Sequence, residues 1–252
     1  MSKNILIVGA AAGMGKEVSL EFARKGYNLG LIDMNQQALN DFENQLAKEF
    51  PSIKVATKQL DISDYDAVAP AFDALQQALG KLDIIFSNAG IGLGGDVGDV
   101  GNFSAARKTI EVNLLGTIAC IEKAASIFRT QGFGHIAVTS SLSAIRGTAG
   151  DGYAAYSASK SGVNRYMESL YAELLRDGLH KRITTGVLMP GHVATGMAKD
   201  TDSMVIPLHK ATQAMVKAIE QRKRSVVICG FTWKFIKLLM QILPTRALNA
   251  MA

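Results

Sequence analysis

Ile5-Leu6-Ile7-Val8-Gly9-Ala10-Ala11-Ala12-Gly13-Met14-Gly15 is an apolar run that breaks into a glycine turn and then into residues of helical period. A short, continuous, β-branched apolar run suits a strand buried on both faces. Glycine permits the tight turn, and its missing side chain lets a bulky anion approach the backbone. The helix read over Lys16–Lys25, ended by Gly26, offers unpaired N–H groups and partial positive charge at its start. Strand, glycine turn and helix in that order predict a pyrophosphate site at Gly9, Gly13, Met14 and Gly15. Taken alone, the motif fits an ordinary glycine turn as well.

Outward from that turn the same alternation repeats. Strands are read at Tyr27–Ile32, Ile53–Leu60, Leu82–Phe86, His135–Thr139, Ile183–Leu188 and Val226–Ile228, with helical stretches between them. Leu39, Phe42, Leu46 and Phe50 recur at helical spacing before Pro51, and Val68, Phe72, Leu75 and Leu79 before Gly80. Strands separated by helices predict an α/β fold: a single, doubly wound, mostly parallel seven-stranded sheet covered on both faces, spanning residues 1–252. Ligands of such sheets lie at the carboxyl ends of the strands.

The bulk properties agree. The chain has 252 residues, 48% of them hydrophobic, which is enough for one large core. A net charge of +5 with scattered Lys and Arg, and no recognition motif beside the short Arg222-Lys223-Arg224 run, argues against nucleic acid as a partner. Cys120 and Cys229 have neither metal-ligand nor disulfide-framework spacing, so no metal is expected. The run Ile5–Val8 is too short for a signal-peptide core, and a cytoplasmic location is expected.

Unusual residues gather at the predicted strand ends. Asp33 closes the second strand, where a carboxylate can accept hydrogen bonds from adenosine ribose hydroxyls and would repel a 2′-phosphate. No Arg or Lys lies in the glycine turn and Met34 follows Asp33, which favours NAD(H) over NADP(H). Asp61, followed by Ile62, ends the third strand. It suits either the adenine amino group or, with Ser63, a cap on the next helix. Ser87-Asn88-Ala89-Gly90 ends the fourth. Its small residues allow close approach of a cofactor, and the Asn88 side chain can tie neighbouring strands together.

Of six tyrosines only Tyr156 has a lysine, Lys160, four positions on. In a helix that spacing puts both on one face. A free phenol titrates near pH 10, and an adjacent ammonium is expected to lower it, making Tyr156 a proton donor to a carbonyl or acceptor from an alcohol. Lys160 can also hold a nicotinamide ribose.

Together, in this order, these residues resemble the short-chain dehydrogenase/reductase family, from Ile5 to about Thr195. The resemblance implies hydride transfer between NAD(H) and a secondary alcohol or ketone, with Tyr156 as general acid/base and Lys160 as its partner. It implies that Ser141, second of the pair in Thr139-Ser140-Ser141, orients the substrate oxygen. The Ser141–Tyr156 spacing is longer than usual for the family. Ser143 would give the usual one and stands as the alternative, or as a second substrate contact. Asn113 matches a helix asparagine that holds a water near the lysine. Pro190-Gly191-His192-Val193-Ala194-Thr195 matches a motif whose Val193 backbone and Thr195 hydroxyl bind the nicotinamide amide. Val8 stands where the family often has threonine. The alternative function is a dinucleotide-binding sensor or scaffold without turnover, which loss of Tyr156 or Lys160 would have signalled.

Two further segments bear on the substrate. Residues 196–210, with Met197, Met204, Val205 and Ile206, read as an apolar lid. With Leu142 and Ile145 they favour a fairly apolar small-molecule substrate. In the apolar tail, 231–252, Lys234, Lys237 and Gln241 form a narrow polar stripe. Subunit contact or substrate cover is favoured for it over peripheral membrane contact. The resemblance implies a homodimer or homotetramer.

Overall fold

The computed structural model describes residues 3–147, 152–194, 205–228, 238–244 and 246. Among them seven strands form one sheet: β1 (Asn4–Val8), β2 (Asn28–Asp33), β3 (Val55–Gln59), β4 (Ile84–Ser87), β5 (Gly134–Thr139), β6 (Ile183–Pro190) and β7 (Ser225–Ile228). Their order is β3-β2-β1-β4-β5-β6-β7, and every pairing is parallel. This is the doubly wound Rossmann-like sheet the alternation predicts. The order reverses between β1 and β4, which pair in the register Val8↔Ser87, and doubly wound sheets hold their ligands at the carboxyl edge of such a switch point.

The period-2 geometry of β1 explains why its apolar run is unbroken. Leu6 and Val8 point into the core on one face, with Phe72, Ile121, Phe128 and Val163. Ile5 and Ile7 point into the other, with Phe22, Leu39, Phe42 and Met215. The first core is covered by α3 (Tyr65–Leu79), α5 (Thr117–Gln131) and α6 (Tyr153–Arg176). The second is covered by α1 (Gly13–Arg24), α2 (Gln36–Glu49) and α7 (Leu208–Glu220). Helix α4 (Asn102–Ile110) runs into α5 through a π-helical stretch, Glu111–Gly116.

Element ends deviate in ways that matter. Helix α1 begins at Gly13, not Lys16, so the last glycines of the turn are its first turn. Strand β3 begins at Val55 rather than Ile53, whose N–H instead closes a turn on the Phe50 carbonyl. Asp64 caps α3 by accepting from the Ala67 N–H; Asp61 does not cap it. The π-helical stretch contains Asn113, so the asparagine coincides with an irregular ladder.

Candidate active site

The site is built from strand ends. Gly9 has φ +75°, and a Cβ there would lie 2.7 Å from the Ala89 Cα. At Gly15 a Cβ would lie 1.8 Å from the Gly9 carbonyl oxygen and 2.8 Å from Asn88 Nδ2. Gly15 is therefore needed for packing α1 onto β1, and Gly9 for the passage of the turn beside Ala89. Ala12 precedes α1 with no side-chain hydrogen bond to the helix start. Gly13 and Ala12 are exposed and Met14 half-buried. An exposed helix start with no side-chain cap fits a phosphate group.

Asp33 Oδ2 accepts from the Ala11 N–H at 2.9 Å and Oδ1 from the Asn35 N–H at 3.0 Å. The carboxylate thus sits against the glycine turn, half-buried at the end of β2, with Met34 62% exposed next to it. Asp61 Oδ1 accepts from the N–H and hydroxyl of Ser63, and Lys108 Nζ lies 3.3 Å from Oδ2. Burial works against its charge, but the Ser63 and Lys108 contacts prevail and hold the carboxyl below its ordinary pKa. Ile62 is buried beside it, in the core.

Asn88 joins three strands: its Nδ2 donates to the Gly9 carbonyl at 3.2 Å and its Oδ1 accepts from the Thr139 hydroxyl at 2.9 Å. Gly90 is next to the catalytic candidates, since a Cβ there would lie 3.2 Å from Lys160 Nζ and 3.3 Å from Asn113 Oδ1. Asn113, fully buried, grips the Ile91 backbone at both ends: Nδ2 donates to its carbonyl at 2.7 Å and Oδ1 accepts from its N–H at 2.8 Å.

Tyr156 and Lys160 lie on one face of α6, with the ammonium 5.7 Å from the phenol ring centroid. The Ser141 hydroxyl is the polar neighbour that draws the Tyr156 phenol's pKa down. The Ser141 Oγ accepts from the Ser143 N–H at 3.1 Å, which does not use the Ser141 proton. Ser141 thus stands beside the Tyr156 hydroxyl, and Ser143 braces Ser141 from behind. Lys160 is 3% exposed and donates to the Thr139 carbonyl at 2.9 Å. Burial pushes its pKa down to about 8.

The expected lowering of the phenol is not found. Burial raises the Tyr156 pKa above its ordinary value, and the neighbouring Ser141 hydroxyl draws it only part of the way back. The ammonium is spent on Thr139 rather than on the phenol oxygen.

Pro190 ends β6 and Gly191 follows, half-buried. Val193 makes a parallel bridge to Ile206, with Ala194 N–H donating to the Ile206 carbonyl and Ile206 N–H to that of His192. The segment read as a lid is therefore pinned at its neck. Its end from Ile206 is not lid: Ile206 is buried in the core, and Leu208 to Lys210 begin α7. Thr195, Met197 and 196–204 lie outside the described residues, as do 148–151 and, in the tail, 229–237, 245 and 247–252. Leu142, read as a substrate contact, is 5% exposed and packs into the core; Ile145 packs partly against it.

Three residues of the constellation carried no sequence signal of their own. Ser159, between Tyr156 and Lys160, donates to the Tyr156 carbonyl at 2.6 Å and accepts from Asn113 Nδ2 at 3.3 Å. Thr139 serves both Asn88 and Lys160. Lys108 reaches Asp61 across 47 positions of sequence, a separation no local pattern encodes.

A family model for short chain dehydrogenases matches residues 3–205. The chain belongs to that family. This short-chain dehydrogenase is 34% identical over 246 residues to an uncharacterized oxidoreductase of Mycobacterium tuberculosis, covering 97% of this chain and 95% of that one. A short-chain dehydrogenase/reductase from Burkholderia phymatum, solved in complex with NAD, superposes with a TM-score of 0.83 at 22% identity, over 99% of this chain and 95% of the other. The NADPH-dependent 3-quinuclidinone reductase of Rhodotorula rubra superposes at 0.79 and 24%, over 90% and 89%. The family makes this protein an oxidoreductase that uses a nicotinamide dinucleotide on a small molecule. Both dinucleotides occur among its structural neighbours. No helix among the described residues is long and apolar enough to cross a membrane.

Proposed function

We propose that this short-chain dehydrogenase interconverts a secondary alcohol and a ketone of apolar character, with NAD(H) as its dinucleotide. The observation that carries the reading is the placement of Tyr156 and Lys160 one helical turn apart on one face of α6, with Ser141 beside the phenol, at the same sheet edge as the open start of α1.

The dinucleotide, when bound, supplies or accepts the hydride. The N–H groups of Gly13, Met14 and Gly15, beside Gly9, would hold its pyrophosphate. Asp33 would accept from the adenosine ribose hydroxyls, and a 2′-phosphate at that carboxylate would meet a like charge, which favours NAD(H). Asp61 and Ile62 would border the adenine, and Ala89 and Gly90, the small residues beside Asn88, would leave room for the central part. Pro190, Gly191, Val193 and Thr195 would serve the nicotinamide amide, and Lys160 and Tyr156 the nicotinamide ribose.

In the reducing direction Tyr156 gives its proton to the carbonyl oxygen, and in oxidation it takes one from the alcohol. Its raised pKa keeps it protonated at neutral pH, which suits the acid role. The Ser141 hydroxyl donates to the same substrate oxygen and stabilises charge developing there. Lys160 stays largely cationic at pH 7, with its pKa near 8, and supports the phenolate when the proton leaves. Asn113 fixes the loop after Gly90 that flanks this path.

The test is a screen of secondary alcohols and ketones with NAD(H) and NADP(H), followed through nicotinamide absorbance, on wild type and Tyr156→Phe. Wild type should turn over apolar ketones with NADH, and the variant should bind NADH without turning over. Full rate in the variant would remove the catalytic assignment.

A further inference from the structure

The loop that carries Ser141 is held from two sides. Ser141 opens a single 3₁₀ turn, Leu142–Ala144, closed by Ala144 N–H to the Ser141 carbonyl and Ile145 N–H to that of Leu142. On one side Ser161 of α6 donates its hydroxyl to the Ala144 carbonyl at 2.8 Å. On the other, Arg146 donates from Nη1 to the Met240 carbonyl at 3.2 Å and to the Leu243 carbonyl.

Those two carbonyls belong to the helical turn at 238–242 and the residue that follows it. The last carbonyls of a helix have no partner within it, and a cation there satisfies them and complements the dipole. The turn also has an apolar anchor. Met240 is 9% exposed and joins the core cluster that contains Leu142, with Ile145 packed against it. Leu238 and Ile242, one turn apart, remain 51% and 66% exposed. Arg146 thus makes a polar contact between the C-terminal segment and the loop that begins at Ser141, beside Tyr156.

We propose that Arg146 is a positioning residue that latches residues 238–243 against the Ser141 loop, making this segment part of the wall of the substrate site. The inference rests on the ketone reduction proposed above and narrows its substrate: the wall favours ketones with an apolar arm beyond the reacting carbon over compact ones. A latch also accounts for an arginine in that loop. A single nitrogen, Nη1, reaches both carbonyls, and the guanidinium keeps its charge there at any working pH.

The test compares wild type, Arg146→Gln and Arg146→Lys as full chains with NADH, by hydrogen–deuterium exchange and by kinetics on a compact and a long-armed apolar ketone. In Arg146→Gln, amides of 238–243 should exchange about tenfold faster. KM for the long-armed ketone should rise about fivefold, with KM for the compact ketone and both kcat values nearly unchanged. Arg146→Lys should recover part of both effects. A simple helix cap would loosen the segment and leave both KM values alone, and that result overturns the proposal. So does unchanged exchange at 238–243, or a fall in kcat shared by both ketones. A wild type that reduces no ketone would overturn the catalytic reading, and the exchange result would still decide the latch.

Discussion

The Lys160 ammonium donates to the Thr139 carbonyl at 2.9 Å, inside a site where the side chain is almost wholly buried. That bond ties α6, which carries Tyr156, to the end of β5, which leads into Ser141. It also has a thermodynamic cost, because the lysine pKa falls from 10.5 to about 8.

The cost can be measured. A lysine that binds its proton less tightly when folded destabilises the fold below pH 8, where both states are charged. The penalty is relieved as pH rises from 8 to 10.5, because there the unfolded chain holds more protons. A shift of that size corresponds to about 3 kcal/mol, less the Thr139 hydrogen bond lost on replacement, roughly 1–2 kcal/mol. Lys160→Met should therefore leave stability at pH 7 unchanged or raise it by about 1–2 kcal/mol in urea unfolding, while turnover falls about 100-fold or more. Clear destabilisation of the variant at pH 7 would show that Lys160 supports the fold.

The glycine turn gives a sharper contrast. Gly15→Ala places a methyl 1.8 Å from the Gly9 carbonyl oxygen, so strand and helix must separate. Stability should drop by about 3 kcal/mol, with dinucleotide binding lost. At Gly147 a Cβ would meet nothing within 4 Å among the described residues, and Gly147→Ala should stay within about 0.5 kcal/mol of wild type. Thermal unfolding and NADH fluorescence titration check both.

Much of this was legible in the sequence because the decisive features are local. The alternation of Ile5–Val8 with a glycine turn and a helix gives the sheet, and the one-turn spacing of Tyr156 and Lys160 gives the shared face. What was hidden depends on contacts between distant strands and helices. Ser141 and Ser143 both suited the family pattern, and the fold sets Ser141 beside the phenol with Ser143 behind it. The sign of the Tyr156 shift was misread because one-turn spacing reports proximity, not where the ammonium's proton is directed or how dry the phenol is. Lys108 on Asp61 and Arg146 on the C-terminal segment join residues too far apart in sequence for any period to link.

Asp33 should govern dinucleotide choice, but not cleanly. Its Oδ2 also holds the Ala11 N–H, so Asp33→Ala loses both the charge and a strut of the turn. Asp33→Asn removes the charge and keeps one acceptor, which can still take the Ala11 N–H while the bond from the Asn35 N–H is given up. We expect Asn to raise the ratio of kcat/KM with NADPH to that with NADH by about tenfold, equivalent to 1.4 kcal/mol. Ala should weaken both dinucleotides. If Asn left the ratio unchanged, Asp33 would not be what discriminates.

Acid sensitivity should originate away from the site. His135 of β5 is fully buried, its Nδ1 paired with the Thr184 hydroxyl at 2.9 Å and its Nε2 without a hydrogen-bond partner in the described structure. Burial, helped by the Arg222 charge, lowers its pKa from 6.5 to about 4. The neutral ring is thus preferred in the fold. Above pH 6.5 neither state takes the proton and nothing is lost. Between 6.5 and 4 the unfolded chain takes it and the fold does not, so stability falls with pH, by about 3 kcal/mol in all. Below 4 this contribution is flat. His135→Gln keeps polarity at the Thr184 hydroxyl and removes the titration. Its urea midpoint should be lower than wild type at pH 7.5 yet fall much less steeply between pH 6.5 and 4. Parallel curves for the two proteins would mean that other groups set the acid limb and that His135 is a passive filler between β5 and β6.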